Sequence, residues 1–172
     1  MKSEIKNSTD ILGETALINV LANEELIGSK INALLTRTSP RDLYDTYSLF
    51  KLGLITNKIL IKKIAIFYVC LGCDIPINFE EILNKALHKI QSLNSQKVKE
   101  KLMPMLNKGI KFDVNEATSF VFTAIKALFI LYSNDIEFIN NFNSKSFIPD
   151  ILFKGYQTED VSKHPMVLWK TK

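Results

Sequence analysis

Lys30, Arg37, Arg41, Asp42 and Asp45 lie in one short stretch of the chain, cations interleaved with carboxylates. Converging basic groups can clamp a phosphate, and a carboxylate beside them can hold a metal ion or accept a proton. The spacing favours convergence. Lys30 and Arg37 are two helical turns apart and share a face. Arg41 and Asp45 are i,i+4, and Asp42 and Asp45 are i,i+3, so these side chains also meet. The linking Thr38–Ser39–Pro40 is tight enough to force a helical hairpin that turns both sets toward one crevice. A plainer reading of the same residues is a surface ion pair beside a capping Asp, worth roughly 0.3 kcal/mol.

The elements that must position these groups can be read from capping and periodicity. Ala16–Ala22 is short, apolar and partly β-branched, which predicts a strand. A strand needs a partner for its backbone, and nothing later in the sequence offers one. Asn23 is the expected N-cap of a helix through Arg37, with Leu26, Ile27, Ile31, Leu34 and Leu35 at three- and four-residue spacing. Ser39 caps the next helix, Pro40 fits its first position and Asp42 its first turn. That helix ends near Gly53. Further helices are expected from Thr56 to Leu71, Asn78 to Leu93 and Gln96 to Leu106, the last bent or ended by Pro104. Asp113 and Glu116 form a capping pattern ahead of a long helix, Val114–Ser133. Ile136–Asn143 follows, then a tail punctuated by Pro149 and Pro165. The expected fold is mostly α: a helical bundle behind a short N-terminal strand remnant. Residues 1–15 are read as a flexible lead and 16–172 as one helical domain.

Composition agrees with that class. Of 172 residues, 47% are hydrophobic and 23% charged, the balance of a folded globular domain rather than a disordered one. Few turn-formers, six Gly and five Pro, favour long helices with short connections. The net charge of +4 tolerates a polyanion without demanding one. Lysines such as Lys85, Lys89, Lys97, Lys99 and Lys101 read as a solvated helix face. No secretion signal opens the chain, and the apolar runs Ile64–Cys73 and Phe120–Tyr132 fall short of the ~20 residues that span a bilayer. No membrane partner and a cytoplasmic location are therefore expected. Cys70 and Cys73 lack a second ligand pair or a redox context and read as structural thiols. The aromatic residues Phe120, Phe122, Phe129 and Tyr132 read as core, and Trp169 as packing the C-terminus down.

Lys30-Ile-Asn-Ala-Leu-Leu-Thr-Arg37-Thr-Ser-Pro-Arg41-Asp42-Leu-Tyr44-Asp45 resembles the signature "K-x-x-A-L-x-x-R-x-x-x-R-D-x-Y-D" of the AbiEii/AbiGii toxin family of nucleotidyltransferases. Pro149-Asp150-Ile151-Leu152-Phe153 resembles the family's late "P-x-L-L-F", and His164-Pro165-Met166-Val167-Leu168-Trp169-Lys170 its closing "H-P-M-A-L-W-K". The likeness runs in order over residues 16–172, as the helical C-terminal portion of the family.

The resemblance implies a polymerase-β-like nucleotidyltransferase toxin of an AbiE-like, type IV toxin–antitoxin and phage abortive-infection system. In that family a sheet carries an Asp-x-Asp pair for Mg²⁺. By the same resemblance Lys30 would hold the nucleoside triphosphate, with Arg37 and Arg41 as further phosphate contacts. Asp45 would be the third catalytic carboxylate and Asp42 a site-orienting group. Implied partners are a cognate antitoxin and RNA, often tRNA ends. The chain departs from the family where the sheet should be. Gly13-Glu14-Thr15-Ala16-Leu17 echoes the family's opening "G-G-T-A-L", but no Asp-x-Asp follows before the Lys30 helix. Two-metal transfer lacks its main ligands without that pair. The expectation is a truncated or split enzyme, inactive alone and completed by a separate N-terminal catalytic half. The alternative is a non-catalytic helical module that binds an antitoxin or RNA, and a degenerate remnant is a third reading.

Overall fold

The computed structural model describes residues 2–7, 16–93, 95–106, 111–156 and 159–171. It is mostly helical, as the periodicity requires. Strands β1 (Lys2–Asn7) and β2 (Ala16–Leu21) form an antiparallel pair, with Lys2 opposite Leu21 and Asn7 opposite Ala16. Of the segment expected to be a flexible lead, residues 1 and 8–15 lie outside the described residues. The described helices are α1 (Asn23–Thr36), α2 (Pro40–Lys51), α3 (Lys58–Gly72), α4 (Phe79–Ser92), α5 (Ser95–Leu102), α6 (Val114–Leu128), α7 (Ser133–Asn143), α8 (Pro149–Phe153), α9 (Glu159–Ser162) and α10 (Pro165–Lys170). A 3-10 turn at Met103–Met105 absorbs Pro104 after α5.

Helix α3 is the centre. Its apolar residues cover the whole circumference, and Leu60, Ile61, Ala65, Ile66, Val69 and Cys70 are all buried. A helix apolar on every side has to be enclosed by others. Helix α1 lies closest to it, and Gly28 permits the approach: a Cβ there would stand 2.5 Å from Ile64 Cγ2. Helices α7, α8 and α10 pack on other sides.

Two consecutive lysines of this core helix, Lys62 and Lys63, are buried. Buried ammonium groups persist only with partners. Lys62 Nζ donates to Asp135 Oδ2 at 2.5 Å and to the Ile130 carbonyl at 3.0 Å, and it sits 4.2 Å from the Tyr132 ring centroid. Lys63 Nζ donates to the Leu152 carbonyl, with the Tyr156 ring 5.8 Å away. Burial lowers the Lys63 pKa.

These contacts explain a difference from the sequence reading. The expected helix over Val114–Ser133 stops at Leu128, and α7 starts early, at Ser133. Between them the Ile130 carbonyl turns to Lys62, and Asp135 accepts from the Tyr132 N–H at 2.9 Å, so α6 and α7 meet at 85°. Within the aromatic run, Phe129 is core and Phe120 and Phe122 are half-buried, but Tyr132 is 61% exposed. Trp169, expected to pack the terminus down, is 68% exposed; the six-residue α10 anchors through Val167 instead.

Capping differs in detail. The N-cap of α1 is Ala22, with no side-chain cap, rather than Asn23. That of α3 is Asn57, whose Oδ1 accepts from Leu60 N–H, rather than Thr56. Ser39, Asn78 and Asp113 cap as expected. Among the described residues no single helix is long and apolar enough to cross a membrane.

Candidate functional site on the α1–α2 hairpin

The hairpin is set by local chemistry. Thr38 takes φ +52, an uncommon backbone state for a β-branched residue, and its hydroxyl donates to the Leu34 carbonyl at 2.7 Å. Ser39 then caps α2. Its Oγ donates to Asp42 Oδ2 at 2.7 Å, its N–H donates to the same oxygen at 3.0 Å, and Asp42 N–H donates back to Oγ at 3.3 Å. This reciprocal capping box satisfies donors that a helix start leaves open.

Arg37 closes the turn from the other side. Its Nε donates to Asp42 Oδ2 at 3.0 Å, and its Nη2 to Oδ1 at 2.9 Å, a forked contact on a carboxylate whose side chain is 1% exposed. Burial pushes the Asp42 pKa up. The hydrogen bonds from Arg37 and Ser39, with the Arg37 charge, outweigh it and leave the carboxyl below its ordinary value.

One turn further along α2 a second group forms. Lys30 Nζ lies 2.7 Å from Asp45 Oδ2, joining α1 to α2, and Arg41 Nε lies 4.0 Å from the same oxygen. The hairpin therefore sorts the five sequence candidates into two sets. Lys30, Arg41 and Asp45 converge on one point, half-buried to exposed. Arg37 and Asp42 form a separate knot at the turn, where Asp42 orients the start of α2 and Arg37 commits Nε and Nη2 to it.

The chemistry open to the first set is anion binding. Lys30 is a mobile point charge with three donors, and Arg41 is largely exposed, so both can reach a phosphate if Asp45 releases them. A metal is a different matter. Among the described residues no group of three or more His, Cys, Asp or Glu side chains is placed to hold one. Asp42 is saturated by its hydrogen bonds, which leaves Asp45 as a lone carboxylate. These residues do not by themselves fit a Mg²⁺ site.

Sequence reasoning missed the surroundings of the hairpin. Tyr44 and Tyr47 meet Phe112 edge-on at 5.2 and 5.8 Å, and Tyr47 donates to Glu116 Oε1 at 2.8 Å. Glu116 also pairs with Lys51 at 2.8 Å. It was expected to complete a capping box with Asp113; instead it ties α2 to α6. The alternation of Tyr with charge along α2 was the available signal.

Other candidates are structural. Cys70 is buried, with burial raising its thiol pKa to about 12, and Cys73 is half-buried and also raised by burial. Lys85 pairs with Glu81 on the exposed face of α4. His164 caps α10, its Nδ1 accepting from Met166 N–H at 3.2 Å.

The fold and hairpin thus define a helical domain whose α1–α2 turn presents a cation–carboxylate cluster. The family model described as nucleotidyl transferase AbiEii toxin, type IV TA system, matches residues 2–121, and the chain belongs to this family. No match was found among curated proteins or among solved structures. The matched segment includes the whole hairpin, while the late motifs at 149–153 and 164–170 lie beyond it. Membership of a type IV toxin–antitoxin family implies an antitoxin partner, and a nucleotidyltransferase family generally uses a nucleoside triphosphate and a metal ion.

Proposed function

We propose that this chain supplies the phosphate-binding helical half of a toxin nucleotidyltransferase that modifies RNA and takes part in abortive infection of phage-attacked cells. The observation that carries the reading is the convergence of Lys30, Arg41 and Asp45 across a hairpin inside the family-matched segment. In this reading Lys30 leaves Asp45 to bind the triphosphate, Arg41 adds a second cation, and Arg37 offers its remaining nitrogen to the same anion. Asp42 holds the turn that aims them. Asp45, freed of Lys30, is the carboxylate available to the reaction.

Metal-dependent transfer calls for ligands beyond this set, so activity requires a sheet bearing an Asp-x-Asp pair, on the same polypeptide or on another. The acceptor class by family is RNA, tRNA ends in particular. The second reading, a helical module that holds an antitoxin or RNA without chemistry, is favoured by the fact that Asp42 and Arg37 are occupied with each other.

Calorimetry with the four nucleoside triphosphates in the presence of Mg²⁺ separates the two. Saturable binding lost in Lys30→Ala, with Arg37→Ala weaker in effect, supports the half-site. Absence of binding to every triphosphate refutes it for this chain and favours the binding module.

A further inference from the structure

Where the C-terminal end of α2 meets the start of α3 and the end of α6, the surface opens into a cleft of about 350 Å³. Its lining is unlike an ordinary protein surface. Ile59, Ile130 and Tyr132 stand 61%, 60% and 61% exposed around it. Large apolar side chains left mostly in water and gathered at one concavity mark an interaction site rather than scatter. Ala124 and Ala127 line the α6 side, so the groove has room for another backbone.

Its unpaired charge is a single cation. The charged residues that line the cleft are Lys58 and Lys62, with no carboxylate among them. Lys62 is satisfied by Asp135 and the Ile130 carbonyl. Lys58, exposed at the first position of α3, has no ion-pair partner among the described residues. It also sits where the helix dipole disfavours a cation, so an incoming carboxylate is doubly complementary there.

We infer that this cleft is the docking groove for an amphipathic helix of a partner protein, its apolar face on Ile59, Ile130 and Tyr132 and an acidic side chain on Lys58. Helix-in-groove recognition uses this combination, apolar anchors at i, i+3 and i+4 with a polar contact that fixes register. Two other occupants fit less well. A two-fold-related second copy brings the same cationic rim onto itself. A nucleic acid strand needs stacking platforms, and the exposed groups here are mainly aliphatic.

The test is selection from a displayed library of amphipathic helical peptides against the full chain, with counter-selection on Ile59→Asp. Both altered positions are exposed, so the fold is not at stake, and Lys58→Glu improves the α3 dipole. Expected winners carry apolar residues at helical spacing and an acidic flank, bind the wild type at least about tenfold more tightly than Ile59→Asp, and lose affinity to Lys58→Glu. Replacing the peptide's acidic residue with Lys should restore affinity for Lys58→Glu alone. Failure to enrich any such peptide, or enrichment without an acidic preference, overturns the proposal. So does a concentration-dependent dimer of the chain that Ile59→Asp dissolves, or binding of a single-stranded oligonucleotide that Ile59→Asp abolishes. None of these results depends on whether Lys30 binds nucleotide.

Discussion

The buried Lys62–Asp135 pair gives the sharpest quantitative expectation. The side chains are 4% and 3% exposed, in contact at 2.5 Å, and Asp135 also accepts from the Tyr132 N–H. Removing one member strands the other charge out of water, which costs about 3–5 kcal/mol. Asp135→Asn keeps an acceptor for Tyr132 N–H, so its cost sits near the lower end, about 3 kcal/mol. Lys62→Met also loses the donor to the Ile130 carbonyl and should cost about the same. If the two effects were independent, the double variant would lose about 6 kcal/mol, a large part of the 5–15 kcal/mol that folds a typical domain. Because neither stranded charge survives in the double variant, its loss should be only about 3 kcal/mol, a coupling of about 3 kcal/mol. Urea unfolding at pH 7 followed by circular dichroism measures this. Each single variant should shift the midpoint down by about 1.5 M, taking a slope near 2 kcal/mol/M. A double variant whose loss equals the sum of the singles within about 0.5 kcal/mol would refute the reasoning, as would an Asp135→Asn cost under about 1 kcal/mol.

Three further outcomes follow from features of the fold and hairpin. Gly28→Ala forces a Cβ to within 2.5 Å of Ile64 Cγ2, so α1 and α3 must part, at about 1–3 kcal/mol in a thermal melt; an unchanged midpoint would contradict that packing. The Asp42 pKa is lower in the folded than in the unfolded chain, so its contribution is complete above the ordinary Asp value near 3.9 and fades as pH falls through the lowered one. Asp42→Asn should therefore be less stable than wild type at pH 7, with the gap closing on acidification below about pH 4; a gap that is independent of pH counts against the Arg37–Asp42–Ser39 knot. Cys70, with no exposed surface and a thiol raised to about 12, should resist iodoacetamide at pH 8 until urea is added, as read by peptide mass mapping, whereas labelling in the native state at the rate of a free thiol would disprove its burial.

Much of the first hairpin was legible in the sequence because its determinants are local. Ser39, Pro40 and Asp42 specify the start of α2 within four residues, and the Lys30–Asp45 contact follows from two helix periods and a short turn. Legibility fails where a distant residue decides. Between the adjacent caps Thr56 and Asn57 the ambiguity is local instead: both types fit, and the Leu60 N–H, one turn on, bonds to Asn57. The break at 129–132 could not be read from an uninterrupted apolar period, because it is made by Lys62, whose partner lies 73 residues away. A lysine inside an apolar helix looks like an exposed position until that partner is known. Trp169 was misplaced for the converse reason: a six-residue helix can bury only one side, and Val167 occupies it. The pairing of Arg37 with Asp42 had a local basis too, yet residue types alone left Arg37 free to serve a phosphate.

The Lys63–Leu152 contact joins residues 89 apart. During synthesis α3 leaves the ribosome well before α8 exists, by roughly 5–20 s at ordinary elongation rates. Over that interval α1, α2 and α3 can associate, yet one flank of the central helix has a cation waiting for an acceptor and apolar neighbours waiting for Phe153. The chain is therefore most vulnerable to proteases and to wrong pairing in the interval between the making of α3 and of α8. Whatever chaperone attends it should engage α3, and should be released only when α8 has docked.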